Sequence, residues 1–451
     1  MKIAIKMAKG RLLLVVALGF VQGLILSAFA QPTRDFNEIL QLPMYFSEVN
    51  PENPIGIFSL DLPFYFSDYK PVKHQLSVAF SMGNIWHPQA YFYYPQNLTQ
   101  EQKNDVRGIF MTNRLAYFEQ MGIETKMKTF GSDGVLEHLK FSYLTNWNGR
   151  NSLILNFNLH QLVGGQSWIN YPVSDRFIEF IHTTFGSEDT FGRKLFPYNL
   201  ASIEIEDENG NSFHKDKGDV FLSVLDGHYY RQLYHFKSYF WHLDAQVAAH
   251  LSVPLNQIHP YLVPGVSVGF RTDLRILRKS SFTLAANAGI TDQSLIKVGK
   301  GVNAIDWRYR KNAQTFGSLN FLSKKRNVLT MGILLNYQDP LLKGYYFTRS
   351  ETGYNEIGIK YLKKGDIWEG EPVSRVFRLA KLSPASLYYF SIRTCFIIGF
   401  KKNNGNEFVI SAGQDNFAVN NAPDIQYSFQ YRFSPFGKTN DKLWSSKFNS
   451  K

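Results

Sequence analysis

The chain has a single cysteine, Cys395, in 451 residues, only 19% of its residues are charged, and beyond position 30 no apolar run approaches the length of a membrane helix. Each shortage excludes something. One cysteine cannot form an internal disulfide, so folding rests on hydrogen bonds and packing, which a chain of this size supports. Without further runs of about 20 apolar residues the chain is not a helical membrane protein. None of the eleven histidines stands in an HExxH spacing and no Cys/His cluster offers tetrahedral zinc ligation, so neither a metal nor a cofactor is expected. What is abundant is aromatic: 38 Phe, 25 Tyr and 7 Trp make up 16% of the chain, beside an ordinary 44% hydrophobic content. That balance excludes a disordered chain and leaves all-β classes: a secreted sandwich or propeller, or a barrel with apolar residues at alternate positions.

The first thirty residues carry Lys2, Lys6, Lys9 and Arg11, then a mostly apolar stretch from Leu12 to Leu26, then Ala28-Phe29-Ala30. This is the order of a secretory signal peptide, with cleavage placed after Ala30; an uncleaved anchor helix is the competing reading. Export makes nucleic acid an unexpected partner despite the formal charge of +12. An exported chain with no second apolar span is either soluble outside the cytoplasm or crosses a membrane as a closed barrel.

Period-2 alternation runs through the rest. Phe282, Leu284, Ala286, Ala288 and Ile290 share one face opposite Thr283, Ala285, Asn287, Gly289 and Thr291. The same division fits Leu76 to Met82, Leu329 to Tyr337 and Ile357 to Tyr361. Further strands are read at Asn113 to Thr125, Leu136 to Trp147, Asn151 to Val163, Val220 to Leu225, Phe240 to Val253, Tyr261 to Phe270, Phe316 to Leu322, Tyr388 to Phe400 and Phe408 to Gly413. The expected architecture is all-β: one antiparallel transmembrane β-barrel of about 12–16 strands over residues 31–433, with a polar tail at 434–451. Asn148-Gly149, Asn404-Gly405 and Asp133-Gly134 carry hairpin chemistry. Arg278-Lys279, Lys324-Lys325-Arg326, Lys363-Lys364 and Lys401-Lys402 mark strand ends, either as solvated ends that discourage edge pairing or as contacts to lipid or lipopolysaccharide phosphates. Tyr427, Phe429, Tyr431 and Phe433 share a face of the last strand, like the aromatic-ended closing strand that engages barrel-assembly machinery.

One segment has helical spacing. Ser174 is placed to cap a helix running to Phe185, with Asp175 at its positive end and Gly186 ending it. Its apolar stripe must pack on the barrel wall, inside the mouth, or in the membrane interface. Counting strands from His74, parity puts the helix in the periplasm, or on the cell exterior if another strand precedes His74.

Gly164-Gly165, Asp175, Phe177-Ile178, Phe180, His182, Phe185-Gly186, Gly192-Arg193 and Pro197, together with Ala422-Pro423-Asp424 leading into Tyr431-Arg432-Phe433, resemble the signature of a bacterial family, the domain of unknown function thirty-one eighty-seven. The resemblance implies an outer-membrane β-barrel and carries no assigned activity.

Three readings of function follow. The favoured one is an outer-membrane barrel acting as a passive pore, transport accessory or structural element, in which Asp175, His182 and Arg193 order a loop or line a pore. A second is a lipid-modifying enzyme, an acyl hydrolase or transferase, with His182 as base and Ser174, Thr183 or Thr184 as nucleophile. A third is a soluble β-sandwich that binds a ligand. Gly265-Val266-Ser267-Val268-Gly269 matches G-x-S-x-G but alternates as a continuous strand, without the sharp turn a nucleophile elbow needs.

Overall fold

The structure is a computed structural model. It describes residues 65–66, 73–85, 91–94, 117–119, 378–380, 391–402, 406–415 and 425–433, and 129–339 apart from 185–200 and scattered shorter gaps, one of which contains His182. The proposed signal peptide, the polar tail and the expected strand at Ile357 to Tyr361 lie outside the described residues.

Twelve strands form a closed ring: β1 His74–Asn84, β2 Val135–Trp147, β3 Asn151–Val163, β4 Val220–Lys237, β5 Trp241–Pro254, β6 Tyr261–Leu277, β7 Ser280–Asp292, β8 Tyr309–Leu322, β9 Val328–Gln338, β10 Ser391–Lys401, β11 Glu407–Asp415 and β12 Ile425–Phe433. Each pairs antiparallel with its neighbour in sequence, and β12 returns to β1 with Leu76 opposite Phe433 and Met82 opposite Tyr427. Closure leaves no unpaired edge, the condition for a sheet in hydrocarbon.

Alternation decides what each face meets. On β9, Leu329, Met331, Ile333 and Leu335 are exposed while Thr330 and Asn336 are buried. On β7, Leu284 and Ile290 are exposed while Thr283, Asn287 and Thr291 are buried. Around the ring most large apolar side chains point outward and most polar ones inward, with an apolar belt of inward residues such as Leu144, Phe316 and Leu334 at mid-height. That is the reverse of a water-soluble core, and it requires a hydrocarbon solvent outside. The soluble sandwich is excluded on this ground. No helix among the described residues is long and apolar enough to cross a membrane.

The two rims differ. Links of two to five residues join β2 to β3, β4 to β5, β6 to β7, β8 to β9 and β10 to β11 at one rim, while the longer connections 85–134, 164–219, 293–308 and 339–390 leave the other. Asn148-Gly149, Asn404-Gly405, Arg278, Arg326 and Lys363-Lys364 lie outside the described residues, whereas Lys279, Lys324, Lys325, Lys401 and Lys402 fall at the rim of the short links. Asp133-Gly134 does not close a hairpin. Gly134, at φ +114, passes the chain from a short rim strand, Thr129–Asp133, into β2, and that rim strand pairs with Ser202–Glu206. A Cβ on Gly134 would lie 2.9 Å from both the Ala201 Cα and the Val163 carbonyl oxygen. Of the expected strand at Asn113 to Thr125, the described residues are Tyr117–Glu119, which lie in a separate three-stranded sheet and not in the ring, where β1 pairs directly with β2. β4 extends twelve residues past the expected Leu225 to Lys237, across a register shift opposite Ala245/Gln246.

Candidate functional site in the lumen

Reading up each strand from the short-turn rim, the inward side chains form three tiers. The lowest is charged. Arg271 Nη2 donates to Asp273 Oδ1 at 3.3 Å with Nε 2.8 Å from the other carboxylate oxygen, Arg432 Nη2 lies 2.9 Å from Glu407, and His235 Nδ1 lies 2.5 Å from Asp244. Arg271, Asp273, Glu407 and Arg432 are all buried, and charges so far from bulk water persist as close pairs.

Above it lies an apolar waist filled by the chain itself. Tyr65 and Phe66, upstream of β1, are both buried inside the ring. Successive side chains of an extended backbone point opposite ways, so two residues reach both walls. Tyr65 packs with Leu144, Ile154, Tyr230 and Ala248 of β2 to β5, its ring centroid 5.1 Å from that of Tyr230. Phe66 packs with Phe316, Leu334, Cys395, Ile397 and Val409 of β8 to β11 and with Ala285 of β7. The Tyr65 hydroxyl donates to Asn146 Oδ1 at 3.2 Å, and the Gln246 side-chain amide donates to the Tyr65 carbonyl. Gly269 makes the room, since a Cβ there would stand 3.1 Å from Phe66 Cζ. Cys395 is therefore a buried hydrophobe on the lumen side of the wall, with Gln426 Nε2 3.2 Å from its sulfur.

The upper tier is rich in histidine. His138 and His160 stack with centroids 4.4 Å apart; His138 also bonds Asn158 at 3.0 Å and Ser81 at 3.2 Å. Asn158 Nδ2 donates to Asp226 at 3.1 Å. His228 and His250 share a 2.9 Å bond between their Nδ1 atoms, and His250 Nε2 lies 2.8 Å from Ser267 Oγ. Ser267 sits mid-strand, opposite Ala248 and Gly289, without the turn of a nucleophile elbow. Ser223 Oγ, His228 Nε2 and Gln314 Oε1 are buried and reach no hydrogen-bonding atom of the described residues. No group of three or more His, Cys, Asp or Glu among the described residues is placed to hold a metal.

Of the residues singled out from sequence, Ser174 and Thr184 are described, the Thr184 hydroxyl donating to the Phe180 carbonyl at 2.6 Å, whereas Asp175, His182, Thr183 and Arg193 lie outside the described residues. Ser174 is the expected helix cap. Its hydroxyl donates to the Tyr171 carbonyl at 2.7 Å and accepts from the Phe177 amide at 3.3 Å, and its carbonyl accepts from Ile178 N at 3.0 Å. Helical backbone continues at Arg176, Phe177, Ile178, Phe180 and Thr184. The turn that leads into this helix lies outside the lumen. It packs outside the wall: Val173 clusters with Met82 and Val135, which stand on the outward-facing sides of β1 and β2.

The lumen groups were missed because their signal is distributed. His228, His250 and Ser267 come from three strands, and Tyr65-Phe66 precedes the alternating region. An inward parity count along each strand would have found the histidines.

No protein-family model matches the chain and no curated protein does, so the family resemblance stands on the quoted residues. Among solved structures, an outer-membrane channel from Pseudomonas putida F1 is similar at 10% identity, with 80% of this chain and 95% of that chain covered and a TM-score of 0.34. The NanC porin is similar at 6% identity, with 68% and 97% covered and a TM-score of 0.30. LpxR from Salmonella typhimurium is similar at 6%, with 79% and 99% covered and a TM-score of 0.31. The chain is a closed twelve-strand antiparallel β-barrel with an apolar exterior and a polar, self-plugged interior.

Proposed function

We propose that the protein is an outer-membrane channel for small polar solutes in a Gram-negative bacterium, shut at rest by Tyr65-Phe66. The observation that carries this reading is the filling of the lumen at an apolar level of the wall by Tyr65 and Phe66, two side chains that belong to none of the twelve ring strands. Removing that segment breaks none of the twelve strand pairings. Apolar constrictions stop conduction by excluding water, so the waist is where flow is decided.

The unequal rims set the orientation. Outer-membrane barrels keep short turns in the periplasm and long loops outside. By that rule both ends of the barrel are periplasmic and the β3–β4 connection is extracellular. No barrel strand precedes His74, yet the helix falls outside because three strands, rather than the four expected, come before it. The basic pairs of the short-turn rim then face the inner leaflet, so lipopolysaccharide contacts belong to the opposite rim. The acyl-transfer reading draws nothing from Ser174, whose hydroxyl is engaged in the cap.

Liposome swelling tests the reading. Proteoliposomes holding the Tyr65→Ala/Phe66→Ala variant should swell in small sugars well above wild type. Equal, background swelling of both proteins would refute it.

A further inference from the structure

The outward face of the wall is exposed except at one place, next to the seam where the first and last strands meet. Met82 lies on the same face as Leu76, Val78 and Phe80, yet it is 0% exposed, and Val135 beside it is 1% exposed. What covers them is the segment after β3. Gly165, at φ +68, turns the chain back; a Cβ there would meet Ser174 Cβ at 2.5 Å. Val173 fills the gap over Met82 and Val135, with Phe80, Val163, Ile425 and Tyr427 around it. Three polar contacts pin the fold-back: Asn84 Nδ2 donates to the Val173 carbonyl at 3.2 Å, Asn170 Nδ2 donates to Glu137 Oε1 at 3.3 Å, and the Tyr427 hydroxyl donates to the Ile169 carbonyl. Glu137 is an outward-facing carboxylate that would be costly against lipid, and the segment partners it.

The far side of the segment is apolar and aromatic. Trp168 is 86% exposed, and Ile169, Tyr171 and Phe180 are exposed with it; Phe177 links Tyr171 and Phe180 with ring centroids 5.6 and 6.5 Å away. This patch continues the wall's lipid-facing band, lies at the long-loop rim, and has exposed Arg176 within it. Aromatic rings flanked by a cation are the chemistry of a membrane–water interface.

We propose that residues 166–174 with Arg176, Phe177, Ile178 and Phe180 form an interfacial anchor laid over the β12–β1–β2 seam, with Trp168, Ile169, Tyr171 and Phe180 inserted among lipids of the leaflet at the long-loop rim. The proposal rests on the membrane reading above. Its partner is lipid, not solute and not a second protein, because the patch is continuous with the surface that lipid already covers.

The test uses the full barrel with Cys395→Ala and one introduced cysteine carrying an environment-sensitive fluorophore, reconstituted in phosphatidylcholine vesicles with brominated acyl chains. Phe396→Cys reports the lipid face and Asn209→Cys reports the rim sheet in water. Trp168→Cys should be quenched at least half as strongly as Phe396→Cys, and Asn209→Cys should not. Quenching at 396 with none at 168 overturns the anchor alone. Absence of quenching at both overturns the membrane reading and the anchor together. Strong protection of position 168 from lipid and from aqueous iodide alike, with position 396 quenched, means a protein covers the patch and also overturns the proposal.

Discussion

The Tyr65 hydroxyl donates a hydrogen bond to Asn146 Oδ1 at 3.2 Å, joining residues 81 positions apart in the chain. Asn146 also accepts from Ser152 Oγ at 2.5 Å, so one amide oxygen ties the plug to two adjacent wall strands. The plug is thereby positioned by polar bonds and apolar packing at Tyr65 and by apolar packing at Phe66. Removing either residue loosens a different wall.

The sole thiol reports on the plug without any engineered probe. Cys395 is buried in the cluster that contains Phe66, so wild-type protein should react only slowly with a small charged thiosulfonate. Phe66→Ala opens a void against the sulfur, and burial governs thiol reactivity here, so labelling should accelerate on the order of tenfold or more. Mass spectrometry of the intact protein over time measures it. Equal labelling rates would show that Phe66 does not screen the thiol.

The charged tier predicts a stability effect with a sign. Glu407 and Arg432 are both buried and lie on neighbouring strands, β11 and β12. Glu407→Gln leaves Arg432 buried with a weaker partner, and breaking such a pair costs roughly 3 kcal/mol. The temperature at which the folded band converts to the unfolded band on electrophoresis should fall, while Glu407→Gln/Arg432→Met should recover part of the loss.

At the long-loop rim, Asp207 accepts from the Asn209 and Asn211 amides at 2.9 and 3.0 Å, from Asn211 Nδ2 at 2.8 Å and from the Asn303 amide at 3.1 Å. Burial alone would raise its pKa, but the donors from Asn211, Asn303 and Asn209 outweigh that and hold it below the ordinary 3.8. A depressed carboxyl stabilises the fold above its unfolded pKa and loses that contribution as pH falls through the folded value. The link between the rim sheet and the β7–β8 loop is therefore constant from pH 8 to 5 and loosens only below 3.8. Asp207→Asn should speed hydrogen exchange at the Asn303 amide roughly fivefold at pH 7, about 1 kcal/mol.

Much of the wall was legible in the sequence, because a barrel strand in lipid obeys one rule at every second position. Leu284 and Ile290 against Thr283 and Asn287 reads correctly without any tertiary knowledge. The rule failed where the inward partners were large. His228, Tyr230 and Gln232 alternate with Tyr229, Arg231 and Leu233, a pattern in which neither face is plainly apolar, so β4 read as ending at Leu225. The plug was invisible for a different reason: Tyr65-Phe66 has no periodicity of its own, and its packing partners come from nine strands. The helix was legible through Ser174 and the spacing of Phe177 and Ile178, but its outward placement depends on Met82, Val135 and Tyr427, which no local pattern connects to it.

The most direct test is the conductance of single barrels in a planar lipid bilayer. Wild-type protein should insert with little steady current, and Tyr65→Ala/Phe66→Ala should carry a stable ohmic current larger on the order of tenfold, since the two side chains that fill the waist are gone. A folded, heat-modifiable double variant that inserts and conducts no more than wild type would contradict the claim that this barrel is a channel closed by its own chain.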